Sequence, residues 1–339
     1  MFLRLDKKAQ ITRYRHARKK TMNDILKLPL ARSAVDRDYL TRSNPDLFDE
    51  LWKEPSTRIL AMHDGRVLLL GDAFDPLPRL RLLPVDSVPS AQLRVYLGRT
   101  TVPFPDEPIG MAVVLAVLSE NSAREIEPNP DAWHHLRKSG AGLDARDAGL
   151  FTQALALNNW HASHQHCSRC GTPTVVEKGG WVRRCLKDDL ESYPRTDPAV
   201  IVSVIDLEDR ILLGSQGIWE ENRWSVLAGF VEPGESLTAA VSREIFEESG
   251  VRVVSPQYLG SQSWPFPFSL MVGFTAGIDP ETSGDPLVPD GDEIVKLRWF
   301  SKKDLATEAK SILLPSRISI ARGLIENWYG DTLETATES

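Results

Sequence analysis

The chain has 339 residues, 42% of them hydrophobic and 26% charged, and a formal net charge of −7. That length suffices for two or three domains, and the proportions are those of an ordinary globular protein. No apolar run approaches a membrane span (the longest, 111–118, has the length of a buried strand), and the net charge offers no global basic field for nucleic acid.

The first 27 residues depart from this balance. Arg4, Lys7, Lys8, Arg13, Arg15, Arg18, Lys19 and Lys20 oppose one acid, Asp6. The stretch reads as a solvated tail, with RNA contact or a transit peptide as alternatives. Residues 28–118 read as a β-rich domain. Residues 58–63 and 66–71, joined by Asp64-Gly65, have the signature of a hairpin with a type I′ turn. Further strands are expected at 80–85, 91–98 and 111–118. Residues 129–161 read as helical, in one segment at Trp133, Leu136 and Arg137 and a second at 145–160. No internal repeat is evident.

All three cysteines, Cys167, Cys170 and Cys185, lie in the next stretch. An odd, clustered set fits a metal site in a reducing compartment, so a cytoplasmic location is expected. Cys167-Ser-Arg-Cys170-Gly171 is half of a zinc-binding knuckle. The other half keeps one cysteine, in Cys185-Leu-Lys-Asp188. Three thiolates and the Asp188 carboxylate can bind Zn²⁺ tetrahedrally, with His164 or His166 as the other candidates for the fourth place. His161, at a helix end beside a Trp, reads as a packing residue.

From 199 onward strands are expected at 199–207, 210–214, 224–227, 253–263, 270–278 and 294–300, with a closing helix at 318–329. A loop carrying Glu235 runs into a helix carrying Arg243, Glu244, Glu247 and Glu248, which Gly250 should end. With Glu244 at zero on a helical wheel, Leu237 lies at about 20°, Glu248 at about 40°, Val241 at about 60°, and Glu247 about 60° to the other side. Three carboxylates thus share the docking face, opposite Ala239, Ser242, Phe246 and Ser249. Carboxylates so spaced repel unless a cation lies among them, and hard oxygen ligands suit Mg²⁺ or Mn²⁺. Further on, residues 261–269 hold Trp264, Phe266 and Phe268 between prolines, which fix aromatic faces at little entropic cost on binding.

Gly229, Glu235, Arg243, Glu244, Ile245, Glu247, Glu248, Gly250 and Val251 fill every slot of the Nudix box, and the chain resembles the Nudix hydrolases. The string 261–269 resembles the Ser-Gln-Pro-Trp-Pro-Phe-Pro-x-Ser signature of their NADH pyrophosphatase branch, also described as NAD-capped RNA hydrolases, with Ser263 in place of the first proline. The resemblance implies an α+β chain: a C-terminal Nudix α/β/α sandwich preceded by a zinc ribbon and an N-terminal β-rich domain. The expected divisions are a tail at 1–27, the β-rich domain at 28–128, a helical connector at 129–162, the ribbon at 163–195, the catalytic domain at 196–330 and a disordered tail at 331–339.

It also implies roles. Glu244, Glu247, Glu248, Glu293 and the Ala228 carbonyl would hold Mg²⁺ or Mn²⁺. Tyr193, reaching across a homodimer, and Phe230 would pack on substrate. Gln262, Ser263, Trp264, Pro265, Phe266, Pro267, Phe268 and Ser269 would line its nicotinamide side, with Ala321 and Arg137 as further contacts. Glu235 and Arg243 would form an ion pair that orients the loop. The implied reaction is hydrolysis of the NAD(H) diphosphate to nicotinamide mononucleotide and AMP, or removal of an NAD cap from RNA. Divalent ions would offset the charge that grows as water attacks phosphorus, and a carboxylate would take the water proton. The alternatives are another substrate, such as ADP-ribose or a dinucleoside polyphosphate, and a catalytically silent fold that binds RNA.

Overall fold

The computed structural model describes residues 28–71, 77–88, 90–104 and 107–334. The expected tail at 1–27 lies outside the described residues, as do 335–339. The stretch 331–334 is not a loose end: Leu333 is buried in a core, and its carbonyl accepts from the Arg322 guanidinium.

The N-terminal part is built from β1 (Val35–Asp36), α1 (Leu47–Lys53), β2 (Arg58–His63), β3 (Arg66–Leu70), β4 (Arg79–Leu80), β5 (Leu83–Pro84), β6 (Leu93–Thr100), β7 (Ala112–Val117), α2 (Glu120–Ile126), β8 (Trp133–His135), α3 (Leu136–Ser139) and α4 (Ala145–Ser163). The β2–β3 turn has φ of 50° at Asp64 and 69° at Gly65, as a type I′ turn requires. Alternate residues of β2 enter different cores: Leu60 and Met62 pack with Leu150, Phe151 and Ala154 of α4, while Ile59 and Ala61 pack with Leu47 and Leu51 of α1. Helices therefore cover both faces of a sheet that reads as simply β-rich. Helix α1, in a stretch read as strands, turns Leu47 and Leu51 into the core of Ile59 and Ala61 with Phe48 and Trp52 packed beside them. Trp133 also departs from expectation: it lies on a strand antiparallel to β3, not on a helix.

Next come β9 (Val175–Glu177), β10 (Val182–Cys185) and β11 (Leu190–Ser192), a three-stranded antiparallel sheet. It is fastened to the N-terminal part at its turn. The Trp181 indole donates to the Tyr96 carbonyl at 2.8 Å, and a Cβ at Gly180 would strike Val95. His161 is buried between the Gly180 carbonyl (2.8 Å) and the Arg183 guanidinium (3.0 Å).

The C-terminal part comprises β12 (Asp197–Ile205), β13 (Ile211–Gln216), β14 (Leu227–Phe230), α5 (Leu237–Ser249), β15 (Val253–Trp264), β16 (Ser269–Ile278), β17 (Ile294–Phe300), α6 (Lys302–Glu308) and α7 (Ile320–Tyr329). Its sheet runs β15-β16-β12-β13-β17, with β14 also on β12 and β12 parallel to β16. Val200, Val202 and Val204 meet Ala240, Val241 and Ile245 of α5 on one face. On the other, Ile201, Ile211 and Leu213 meet Leu324 and Ile325 of α7.

The two sheets share one topology. The order β6-β7-β2-β3-β8 repeats β15-β16-β12-β13-β17, with β2 parallel to β7 and the short β5 on β2 where β14 lies on β12. A repeat is present after all, in topology and not in residues. Between β14 and β15 the C-terminal copy carries α5; between β5 and β6 the N-terminal copy has no α-helix among the described residues.

Candidate active site

Helix α5 starts at Ser236, whose hydroxyl caps the Ala239 N–H, and ends at Gly250 in the left-handed region, φ 73°. Its buried residues are Ala240, Val241, Ile245, Glu248 and Ser249. The three carboxylates are thus graded and do not share one face equally. Glu248 is buried, Glu244 is half-buried, and Glu247 is exposed. Leu237 is also exposed, and Ser249, expected opposite, is buried with its hydroxyl on the Ile245 carbonyl.

Arg243 binds three acids at once: Glu235 at 2.5 Å, Glu244 at 2.9 Å and Glu247 at 2.9 Å, with a further bond to the Phe230 carbonyl at 3.0 Å. Glu235 also accepts from the Glu232 N–H at 2.7 Å, so the pair ties the loop to the helix. Arg243 holds the Glu235 carboxyl below its usual range. Gly229 sits against the Glu244 carboxylate, which a Cβ there would strike. That close approach accounts for the glycine.

Glu248 has no such cation. Burial first, then Glu244, Glu293 and Asp290, pushes its carboxyl up to about 8, against a backbone bond from Ala228. Its Oε2 is buried with no hydrogen-bond partner. A buried, unsatisfied carboxylate facing other acids is the feature a divalent cation would satisfy. The residues present fit such an ion. Asp290 accepts from the Asp292, Glu293 and Ile294 N–H groups, which shapes the acidic loop, and Gln216 donates to Glu293 at 2.7 Å.

Glu248 opens into a cavity of about 380 Å³ lined also by Gln216, Trp219, Trp224, Ala228, Trp264 and Ala321. Trp219 and Trp224 were not singled out from sequence; they belong to the β13–β14 loop, which carries no motif. The loop 265–268 is the turn of the β15–β16 hairpin, flanked by the Trp264–Ser269 pair and, one step out, by Ser263–Leu270. Trp264 and Phe266 meet edge to face at 5.0 Å. Pro265 is buried, Pro267 is exposed, and Phe268 packs on His164. Gln262 is no cavity residue: it is fully buried, donating to the Ile318 carbonyl at 2.8 Å and accepting from the Ile320 N–H at 2.8 Å. It places the start of α7, and through it Ala321. Arg137 lies on the far side of the loop, 4.0 Å above the Phe266 ring. Tyr193 and Phe230 are both more than half exposed.

In the ribbon, Cys167, Cys170, Cys185 and Asp188 each offer a ligand atom within 4.8 Å of the others, and neither His164 nor His166 joins them. The backbone N–H groups of Arg169 and Asp188 point at the Cys167 and Cys185 sulfurs, both at 3.4 Å. This donor set fits zinc.

The NUDIX domain family matches residues 195–318, the NADH pyrophosphatase zinc ribbon domain 162–193, and the NADH pyrophosphatase-like rudimentary NUDIX domain 56–160. The NAD-capped RNA hydrolase NudC of Mycobacterium tuberculosis is 40% identical over 275 residues, 74% of this chain and 86% of that protein. The chain belongs to the Nudix hydrolases. Within them it falls in the NADH pyrophosphatase branch, whose three domains it carries in order. The NAD-capped RNA hydrolase NUDT12 of Homo sapiens is 39% identical over 201 residues, 55% of this chain and 42% of that protein. Among solved structures, a NUDIX hydrolase from Nitrosomonas europaea is similar over 51% of this chain and 97% of its own, at 22% identity and a TM-score of 0.40. A Nudix domain implies a divalent cation, and the ribbon cluster points to zinc. No helix among the described residues is long and apolar enough to cross a membrane.

Proposed function

We propose that this Nudix hydrolase cleaves the diphosphate of NAD(H), free or as the 5′ cap of RNA, to nicotinamide mononucleotide and AMP or a 5′-monophosphate end. The observation that carries this reading is the orphaned Glu248 carboxylate in a cavity that Trp264 also lines. The names of the relatives agree with it.

Glu244, Glu247, Glu248, Glu293 and the Ala228 carbonyl would hold Mg²⁺ or Mn²⁺. When bound, the ion supplies positive charge against the diphosphate oxygens. Arg243 holds Glu244 and Glu247 in place. Glu248, which lines the cavity, is placed to take a proton from the attacking water. Trp264 offers a face for the nicotinamide, and Ala321 lines the same cavity. Tyr193 and Phe230, exposed in the single chain, would clamp substrate across a homodimer. Zn²⁺ would be held by the three thiolates and Asp188 as a structural ion, in a reducing, cytoplasmic setting.

Incubation with NADH and Mg²⁺ or Mn²⁺ should yield AMP. Trp264→Ala should lower kcat/KM for NADH roughly ten- to a hundredfold, since a lost stacking face costs about 1–3 kcal/mol per base. A dinucleoside diphosphate without nicotinamide should lose much less. Equal losses on both would make the loop structural and return the substrate to the wider family.

A further inference from the structure

The acidic loop before β17 is set by an irregularity in the sheet. Strands β13 and β17 pair in register from Ile211–Phe300 to Ser215–Lys296, and the next pair is Gln216–Ile294. The ladder skips Val295. This is a β-bulge, and a one-residue slip turns what lies beyond it to the other face of the sheet. Ile294 shows the turn: it packs in the same core as Leu297 and Trp299, at an odd spacing from both that an unbroken strand does not allow. The same shift brings Glu293 beside Gln216, the last residue of β13. The Gln216 amide donates to the Glu293 Oε1 at 2.7 Å, and among the described residues no other hydrogen bond reaches that carboxylate. Glu293 is thus held at two points, since its N–H donates to Asp290 Oδ1 at 2.9 Å. It is otherwise exposed, and a glutamate side chain in water turns through many rotamers. Gln216 lines the catalytic cavity together with Glu248, and Glu293 is one of the charges that push the Glu248 carboxyl up.

We propose that Gln216 is a positioning residue, whose amide fixes the Glu293 carboxylate toward the divalent-ion site without neutralising it. The inference rests on the ion site proposed above. The manner of holding matters. Arg243 grips Glu235, Glu244 and Glu247 with a positive charge. A second such cation at Glu293 would compete with the ion for the carboxylate. A glutamine amide orients through a hydrogen bond and carries no charge. It occupies Oε1 and leaves Oε2 uncommitted. A carboxylate already turned to its task loses less side-chain freedom when an ion binds, and this raises affinity. The bulge is what makes the arrangement possible, because it sets the loop one residue out of step and so places Glu293 within reach of Gln216.

The test is Gln216→Met in the full chain, which keeps the length of the side chain and removes the donor. It is made in the parent and again in a Glu293→Gln protein. Three measurements decide it: Mn²⁺ binding read from the paramagnetic resonance of the free ion, KM for NADH at saturating Mn²⁺, and a thermal melt in chelator. In the parent, Gln216→Met should weaken Mn²⁺ binding about five- to tenfold, the scale of one freed side chain. KM should stay within about twofold, and the melt should barely move. In the Glu293→Gln protein the same change should alter Mn²⁺ binding by less than about twofold, because the group that Gln216 positions is gone. Should Gln216→Met fail to fold, Gln216→Asn, which is too short to keep the bond, serves in the same cycle. Unchanged Mn²⁺ binding in the parent, or an equal loss in both proteins, would overturn the proposal. So would a raised KM at saturating Mn²⁺, the mark of a direct substrate contact. A parent that binds Mn²⁺ and leaves NADH intact would sink the proposed substrate instead, and the binding cycle would still decide Gln216. A parent that binds no Mn²⁺ would overturn both.

Discussion

Glu248 is held where an ionised carboxylate is poorly solvated, and this has a price in stability that can be measured. Its carboxyl sits at about 8 in the folded chain against an ordinary 4.5. Below 4.5 it is protonated in both states and costs nothing. Between 4.5 and 8 the unfolded chain releases its proton more readily, so folding loses stability as pH rises, and above 8 the loss is complete. Glu248→Gln keeps the shape and removes the charge. In chelator at pH 7 it should therefore be more stable than the parent, by up to about 3 kcal/mol, and the difference should vanish near pH 4. Its hydrolysis of NADH should fall by orders of magnitude. Thermal melts at the two pH values and a turnover assay check both halves; a folded variant with near-normal turnover would remove Glu248 from the site. The acids at Glu244, Glu247 and Glu248 were legible as a spacing, because a helix converts spacing into position. Their grading was not, because burial depends on where β14 and the acidic loop lie.

At the scale of elements, the ribbon was legible from three cysteines alone, since few other arrangements explain them. Its fourth ligand was read as Asp188 with two histidines nearer in sequence to Cys167 as alternatives, and proximity decides among them. The structure brings Asp188 to the thiols and leaves His164 against Phe268. One Zn²⁺ per chain is expected in protein purified without added metal. Asp188→Ala should release zinc to a colorimetric chelator faster than the parent, and Asp188→Cys more slowly, since thiolate is the softer ligand. Zinc near zero in a folded, active parent would show that the ribbon holds its shape without metal, through Trp181, His161 and Arg183. Strand β8 illustrates the opposite case. Trp133-His-His has no alternation to announce a strand, and only its pairing with β3 makes it one.

Across the whole molecule, the N-terminal sheet repeats the catalytic topology without a box helix, and it serves by position. Trp264 and Phe266 pack against the N-terminal core, and Ile318, just before α7, is part of it. Asn159 on α4 donates to the Pro265 carbonyl at 3.0 Å and reaches the Pro267 carbonyl at 3.4 Å. No sequence pattern could reveal this, since Asn159 and the loop are over a hundred residues apart and the bonds go to backbone. The catalytic domain supplies the carboxylates, and its partner domain holds the loop that faces them. Asn159→Ala should therefore act on recognition more than on chemistry. Losing about one net hydrogen bond costs roughly 1 kcal/mol, so global stability should change little. The freed loop should raise KM for NADH several-fold, leave kcat within about twofold, and leave a nicotinamide-free diphosphate nearly untouched. Steady-state kinetics on both substrates, with a thermal melt as control, make the comparison. A fall in kcat shared by both substrates would mean that the N-terminal domain supports the carboxylate site itself, and that the loop is not the channel through which it acts.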